Sequence, residues 1–98
     1  MAGYRLSKDA VEDIKRLYRY GLGQFGPPQA DRYLDGLFDR FDSIAETPQL
    51  YSAVEEIRTG YRRSVFAAHS IYYRERDGTV EVMRILGLED PTVVLPDI

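Results

Sequence analysis

Six arginines lie between residues 58 and 84: Arg58, Arg62, Arg63, Arg74, Arg76 and Arg84. Only Glu75, Asp77 and Glu81 oppose them there, which leaves this stretch at +3 in a chain whose net charge is −3. A guanidinium is a planar fork that suits fixed ion pairs, protein interfaces and phosphate. Phosphodiester cleavage would need more than arginine. It needs a group to deprotonate a hydroxyl, a group to protonate the leaving oxygen and a cation to neutralise the phosphate. The first two roles are poorly supplied. His69 is the one histidine, no lysine follows Lys15, and the run after Leu86 holds no histidine, tyrosine, lysine or arginine. A lone histidine at a strand edge is more often structural than catalytic, because a base needs a positioned partner. Tyr61, Tyr72 and Tyr73 fall in strand-like runs, where tyrosines usually pack or line interfaces. No catalysis is expected, and the arginine set reads first as a dock for an acidic partner. Its alternatives are solvated ion pairs, such as Arg74 or Arg76 with Glu81, and phosphate binding, which the acidic whole disfavours.

No metal or cofactor is expected. The chain has no cysteine, so a thiolate site is excluded. Asp31, Asp35, Asp39 and Asp42 recur on successive turns of a helical pattern. Four such carboxylates spread over about 15 Å and do not converge on one ion. A solvated face explains them, and a contact with a basic partner segment is the sharper alternative.

The elements that must position these groups follow from periodicity. Ninety-eight residues are expected to form one domain with a modest core. No stretch is apolar over the roughly 20 residues of a membrane span, and a soluble, cytoplasmic protein is expected. Tyr4-Arg5-Leu6 reads as a short strand. Ser7 is a good helix N-cap, and Asp9, Glu12 and Asp13 suit the positive end of a helix dipole. Val11, Ile14, Leu17, Tyr18, Leu22 and Phe25 make one apolar face over residues 7 to 25, with a Glu12–Arg16 pair expected on the other. A second helix is expected to begin at or just after Pro27-Pro28, over roughly residues 28 to 46, with Ala30, Tyr33, Leu34, Leu37, Phe38, Phe41, Ile44 and Ala45 as its stripe. Residues 49 to 57 are either a loop or a turn anchoring Leu50 and Tyr51.

Three strand patterns follow, at 61–66, 70–75 and 79–86, with Asp77-Gly78 a hairpin signal. Simple alternation puts Val80, Val82 and Leu86 on one face and Met83 and Ile85 on the other, and sets Ile71 and Tyr73 against Tyr72. Both sheet faces are thus partly apolar, and two helices cover only one. The second face is expected to expose a patch for a partner or a second copy. The alternative is that Val93, Val94 and Leu95 fold back over it. The fold class expected is α+β, a helical hairpin on one face of a small antiparallel sheet with the N-terminal strand as an added edge.

The order of these elements resembles the RelE/ParE superfamily of bacterial toxins, and within it the ParE branch. The residues that carry the likeness are Tyr4-Arg5-Leu6-Ser7, Ala10-Val11-Glu12-Asp13-Ile14, Gln29-Ala30-Asp31-Arg32-Tyr33-Leu34 and Pro48-Gln49-Leu50, followed by Gly60-Tyr61-Arg62-Arg63, His69-Ser70-Ile71-Tyr72-Tyr73-Arg74, Val80-Glu81-Val82-Met83-Arg84-Ile85-Leu86 and Asp90-Pro91. Such proteins often carry a basic residue before Asp-Pro; here the run is Gly87-Leu88-Glu89-Asp90-Pro91. The resemblance implies a toxin of a toxin–antitoxin pair that inhibits DNA gyrase by binding. It also implies a ParD-like antitoxin that wraps the toxin in a hetero-oligomer, a heterotetramer or larger. RelE-like relatives instead cleave mRNA on the ribosome, which is the alternative function. On this reading Arg58, Arg62, Arg63, Tyr72, Arg74 and Arg84 are the candidate residues for contact with antitoxin or target, with no direct nucleic-acid binding.

Overall fold

The computed structural model describes residues 3–96. Strand β1 (Tyr4–Leu6) leads into helix α1 (Lys8–Phe25) and helix α2 (Pro27–Glu46). A 3-10 turn (Pro48–Leu50) precedes β2 (Ser52–Ala53), β3 (Tyr61–Phe66), β4 (His69–Arg76), β5 (Thr79–Leu86) and the short helix α3 (Pro91–Val94). The sheet order is β1-β5-β4-β3-β2, antiparallel throughout except for β1, which lies parallel to β5.

Ser7 joins the first two elements. Its hydroxyl accepts from Ala10 N–H at 2.9 Å, capping α1, and donates to the Met83 carbonyl at 2.8 Å, tying the cap to β5. Gly26, at φ 85°, is the single residue between the helices; Pro27 and Pro28 then occupy the first turn of α2, where a missing N–H costs nothing. So short a joint folds α2 back along α1. Gly36 has a separate reason: a Cβ there would meet Phe66 Cζ at 2.9 Å, so α2 approaches the sheet closely only without one. Asp77 and Gly78 both have positive φ, as a two-residue hairpin with right-handed strand twist requires. The segment left open as loop or turn contains the 3-10 turn and the edge strand β2. Tyr51 packs against the main core, whereas Leu50 is exposed.

Two cores sandwich the sheet. On the helix side, Ala10, Ile14, Leu37, Phe41 and Ile44 pack on Ile71, Tyr73, Val80, Val82 and Ile85. On the outer side, Val54, Tyr61, Tyr72, Leu86 and Leu95 form a smaller cluster. Strict alternation misassigns β5. The register moves from Tyr72↔Arg84 to Tyr73↔Val82, so Met83 is an extra residue opposite β4. This bulge shifts the phase of everything after it. Ile85 therefore joins Val80 and Val82 under the helices, and Leu86 turns outward.

The outer face is not left as an open apolar patch. After Asp90 caps α3 by accepting from Thr92 N–H, the chain crosses back and buries Leu95 to 2 % exposure against Tyr61, Tyr72, Leu86 and Val54. Of the two readings of that face, covering by the tail is the one the fold takes. Burying the leucine side chain is worth about 2 kcal/mol, and the hydrogen bonds from Arg58 and Tyr61 to the tail carbonyls act with it against an ordering cost of about 1–2 kcal/mol per residue.

Candidate functional site

The six arginine and tyrosine candidates do not form one exposed dock. Arg84 reaches Asp13 through two near-parallel bonds, Nε to Oδ2 at 2.8 Å and Nη2 to Oδ1 at 3.0 Å. Arg74, 8 % exposed, donates to Glu81 Oε1 at 2.9 Å and lies over the Tyr61 ring. Arg62 donates to the Tyr51 carbonyl at 2.7 Å and to Gln49 Oε1 at 3.2 Å. Arg58 holds the tail, with Nε on the Leu95 carbonyl at 2.9 Å and Nη2 on the Thr92 carbonyl at 2.7 Å. Tyr72 is buried in the outer cluster. Arg63 is half-buried and has no hydrogen bond or ion pair among the described residues.

The expected pairings need two corrections. Glu81 lies directly across from Arg74 in the register and is bound by it, whereas Arg76 lies across from Thr79 and has no ion pair among the described residues. Glu12 pairs with Lys15 at 3.4 Å, not with Arg16. Arg16 turns instead to Asp13 at 3.0 Å and Glu89 at 3.3 Å, because Asp13 is a buried charge that needs compensation.

Asp13 is the polar centre that the sequence reading assigned to the helix dipole. It is 1 % exposed and its carboxylate accepts from Arg84, Arg16 and the Ile85 N–H, the last at 3.0 Å. β1 stops at Leu6, so beyond Val82 no strand lies on that side of β5, and Ser7 and Asp13 take its backbone groups instead. The hydrogen bond to Asp13 holds the Arg84 pKa above its ordinary value. A signal was present: Asp13 shares a helix face with Ala10, Ile14 and Leu17, and a charge at that phase faces the core.

A second arrangement lies where α1, α2 and the β3–β4 turn meet. Tyr33 Oη is 2.7 Å from His69 Nδ1, in a hydrogen bond whose direction follows the imidazole tautomer. Burial pushes the Tyr33 phenol up to about 12 and lowers His69; nearby Glu89 opposes the shift on His69 and Arg16 adds to it. Hydrogen bonds from its own backbone and from the Gly87 N–H hold the Glu89 carboxyl below the usual range. Around this pair run two adjoining hollows of about 260 and 700 Å³ that share Leu17, Tyr20, Ala68 and His69. Tyr20 and Phe25 line the smaller one and are 61 % and 58 % exposed; Leu88 lines the larger and is fully exposed. The result is an open apolar groove with one imidazole in its wall.

Residues 4–89 match the family described as ParE toxin of type II toxin-antitoxin system, parDE. The chain belongs to this ParE toxin family. Toxin ParE1 of Mycobacterium tuberculosis H37Rv is 33 % identical over 84 residues, covering 85 % of this chain and 86 % of the relative. Toxin ParE1 of Caulobacter vibrioides is 35 % identical over 86 residues, 88 % of each chain. A solved structure titled "Chromosomal ParDE TA system from P. aeruginosa" shares the fold at a TM-score of 0.78 and 15 % identity, over 91 % of this chain and 98 % of that one. The ParE-like α+β architecture and the role as toxin component of a toxin–antitoxin system follow. No helix among the described residues is long and apolar enough to cross a membrane. In this ParE-family chain Arg62, Arg74 and Arg84 brace the fold, while open apolar surface lies at the groove.

Proposed function

We propose that this toxin acts in the cytoplasm by binding DNA gyrase, and that a ParD-like antitoxin silences it within a hetero-oligomer. The observation that carries a binding mode of action is the engagement of Arg62, Arg74 and Arg84 by Tyr51, Glu81 and Asp13. Arg74 and Arg84 are already neutralised by carboxylates inside the fold, and Arg62 is held by neutral oxygens, so none is well placed to stabilise charge on a reacting phosphate. Assignment of gyrase rests on membership of the ParE family. Of the candidate arginines, Arg63 is the one we assign to the target, because among them it alone has no side-chain hydrogen bond or ion pair within the described residues. The test is induction of the toxin alone in bacteria with a DNA-damage reporter, beside a supercoiling assay with purified gyrase. Growth arrest, reporter induction and loss of supercoiling are expected. Arrest with a silent reporter and unimpaired gyrase would reject gyrase as the target.

mRNA cleavage is the second reading, and one observation favours it. His69 has in Tyr33 the positioned partner that a lone histidine lacks, with Arg16 and Glu89 beside the same groove. A defined cut product on translating ribosomes, abolished by His69→Gln in a folded protein, would establish it.

A further inference from the structure

We propose that residues 90–96 are a displaceable strap seated in the docking site for the toxin's target, and that the site takes a short segment of that target with one aliphatic side chain and acidic neighbours. The proposal rests on the reading that this chain acts by binding gyrase, and it names the surface used and the chemistry received. The strap shows what the site can hold. Leu95 goes into the outer cluster among Val54, Tyr61, Tyr72 and Leu86. Arg58 donates to the Leu95 and Thr92 carbonyls, and Tyr61 Oη donates to the Pro96 carbonyl at 2.9 Å. All three acceptors are backbone carbonyls. These donors therefore read no side chain of the strap; the socket around Leu95 does. A segment of another protein with an aliphatic residue at that place offers the same groups.

The surface under the strap has the composition of an interface. Tyrosine and arginine are enriched where binding energy concentrates. Here Tyr61 and Tyr72 wall the socket, Arg58 holds the strap above it and Arg74 lies over the Tyr61 ring. Arg63 lies across from Tyr72 in the strand register and shares the face of Tyr61 by alternation. It has no side-chain hydrogen bond or ion pair among the described residues. Of the acids beside these groups, Glu81 is held by Arg74 and Glu55 by the Gly60 N–H. The rim is thus left basic, and it complements acidic residues flanking an aliphatic one.

The strap can lift without disturbing the sheet. Its backbone bonds are to itself, from Val93 N–H to the Asp90 carbonyl and from Leu95 N–H to the Pro91 carbonyl, both at 3.1 Å. Among the described residues no strand ladder ties it to the sheet. Helix α3 spans four residues. Val93 on it is 76 % exposed, and Leu88 in the connection from β5 is fully exposed. A segment with one fully buried anchor and exposed backbone bonds opens at far lower cost than the fold that carries it. Lifting it uncovers two tyrosines and turns the Arg58 donors toward a newcomer.

The test has two parts, both on the full-length chain. In amide hydrogen exchange of the toxin alone, the Val93 and Leu95 N–H groups should exchange at least about 100-fold faster than those of Tyr72 and Val82. Equal protection would mean that the strap opens only with the whole fold, and would overturn the proposal. The second part is calorimetric titration of purified gyrase with wild type and variants, each shown folded by circular dichroism. Leu95→Ala and Leu95→Asp should bind at least about fivefold more tightly, because a larger share of the toxin is open. Arg58→Gln also frees the strap but removes donors from the site, so no gain is expected from it. A gain equal to that of Leu95→Ala would overturn the proposed occupant. Arg63→Glu, added to Leu95→Ala, should weaken binding at least about tenfold at low salt. Leu95 variants that bind like wild type would overturn the proposal and leave gyrase as the target. Weaker binding by them would do the same and make the tail itself a contact. No binding by wild type or any variant would overturn both readings.

Discussion

The Asp13 centre and the His69 groove lie within one turn of each other along α1, joined through Arg16, and they treat polar groups in opposite ways. At Asp13 every strong group has a partner. The carboxylate takes two guanidinium groups and a backbone N–H, and the buried side-chain polar atoms among the described residues are all satisfied. At His69 the buried polar contact is one tyrosine–imidazole pair, with Arg16 and Glu89 at the rim and open apolar surface around it. A saturated ionic cluster has little left to offer a partner, since breaking into it leaves a buried charge uncompensated. Exposed aromatic surface gains from being covered. Charge in a sequence is thus a weak guide to an interface until its internal partners are known.

Stability measurements can break or sharpen this contrast. The largest loss is expected from Asp13→Ala, about 3–5 kcal/mol by urea unfolding, because Arg84 and the Ile85 N–H would lose their acceptor. A loss below about 1 kcal/mol, in the range of an exposed ion pair, would show that the centre is not buried as described. Leu95→Ala should cost about 2 kcal/mol, near the lower end for leucine truncation because the tail can relax, and should increase binding of a hydrophobic dye as Tyr72 and Leu86 are uncovered. Gly36→Ala should cost about 1–3 kcal/mol, since its Cβ would press on the Phe66 ring. On the groove side, Tyr20→Asp should leave stability within about 0.5 kcal/mol of wild type. A large loss there would make Tyr20 part of the core and end the contrast.

The smallest effect is the pH dependence carried by His69. Burial holds its folded pKa below the ordinary value of 6.5, so the unfolded chain binds the proton more readily. Stability from this group is fully present above 6.5 and is lost as pH falls through 6.5 toward the folded value. His69→Gln should flatten that part of the stability–pH curve. A wild-type curve that rises as pH falls below 6.5 would contradict the burial of the ring.

How much was legible in advance differs between fold and site. Helix limits, the Ser7 cap and the Asp77-Gly78 turn are local matters of periodicity, a hydroxyl at the right position and backbone freedom. The bulge at Met83 is not local, because it exists only as a mismatch between two paired strands. That one residue decided which of Ile85 and Leu86 meets the helices. The site was read less well for a related reason. Counting arginines finds charge, and the near pair Arg74–Glu81 was legible, but the partner of Arg84 lies far away in the chain: Asp13 is 71 residues from it.

The sequence by itself determined the order of the two long helices and the main strands, the α+β class and membership of a toxin family, because these follow from short-range patterns preserved along the whole chain. Tertiary structure alone decided which charges are spent inside the fold, which sheet face the tail covers and where apolar surface stays open. Those outcomes depend on which groups a register, a bulge and a returning tail bring within hydrogen-bonding or van der Waals reach.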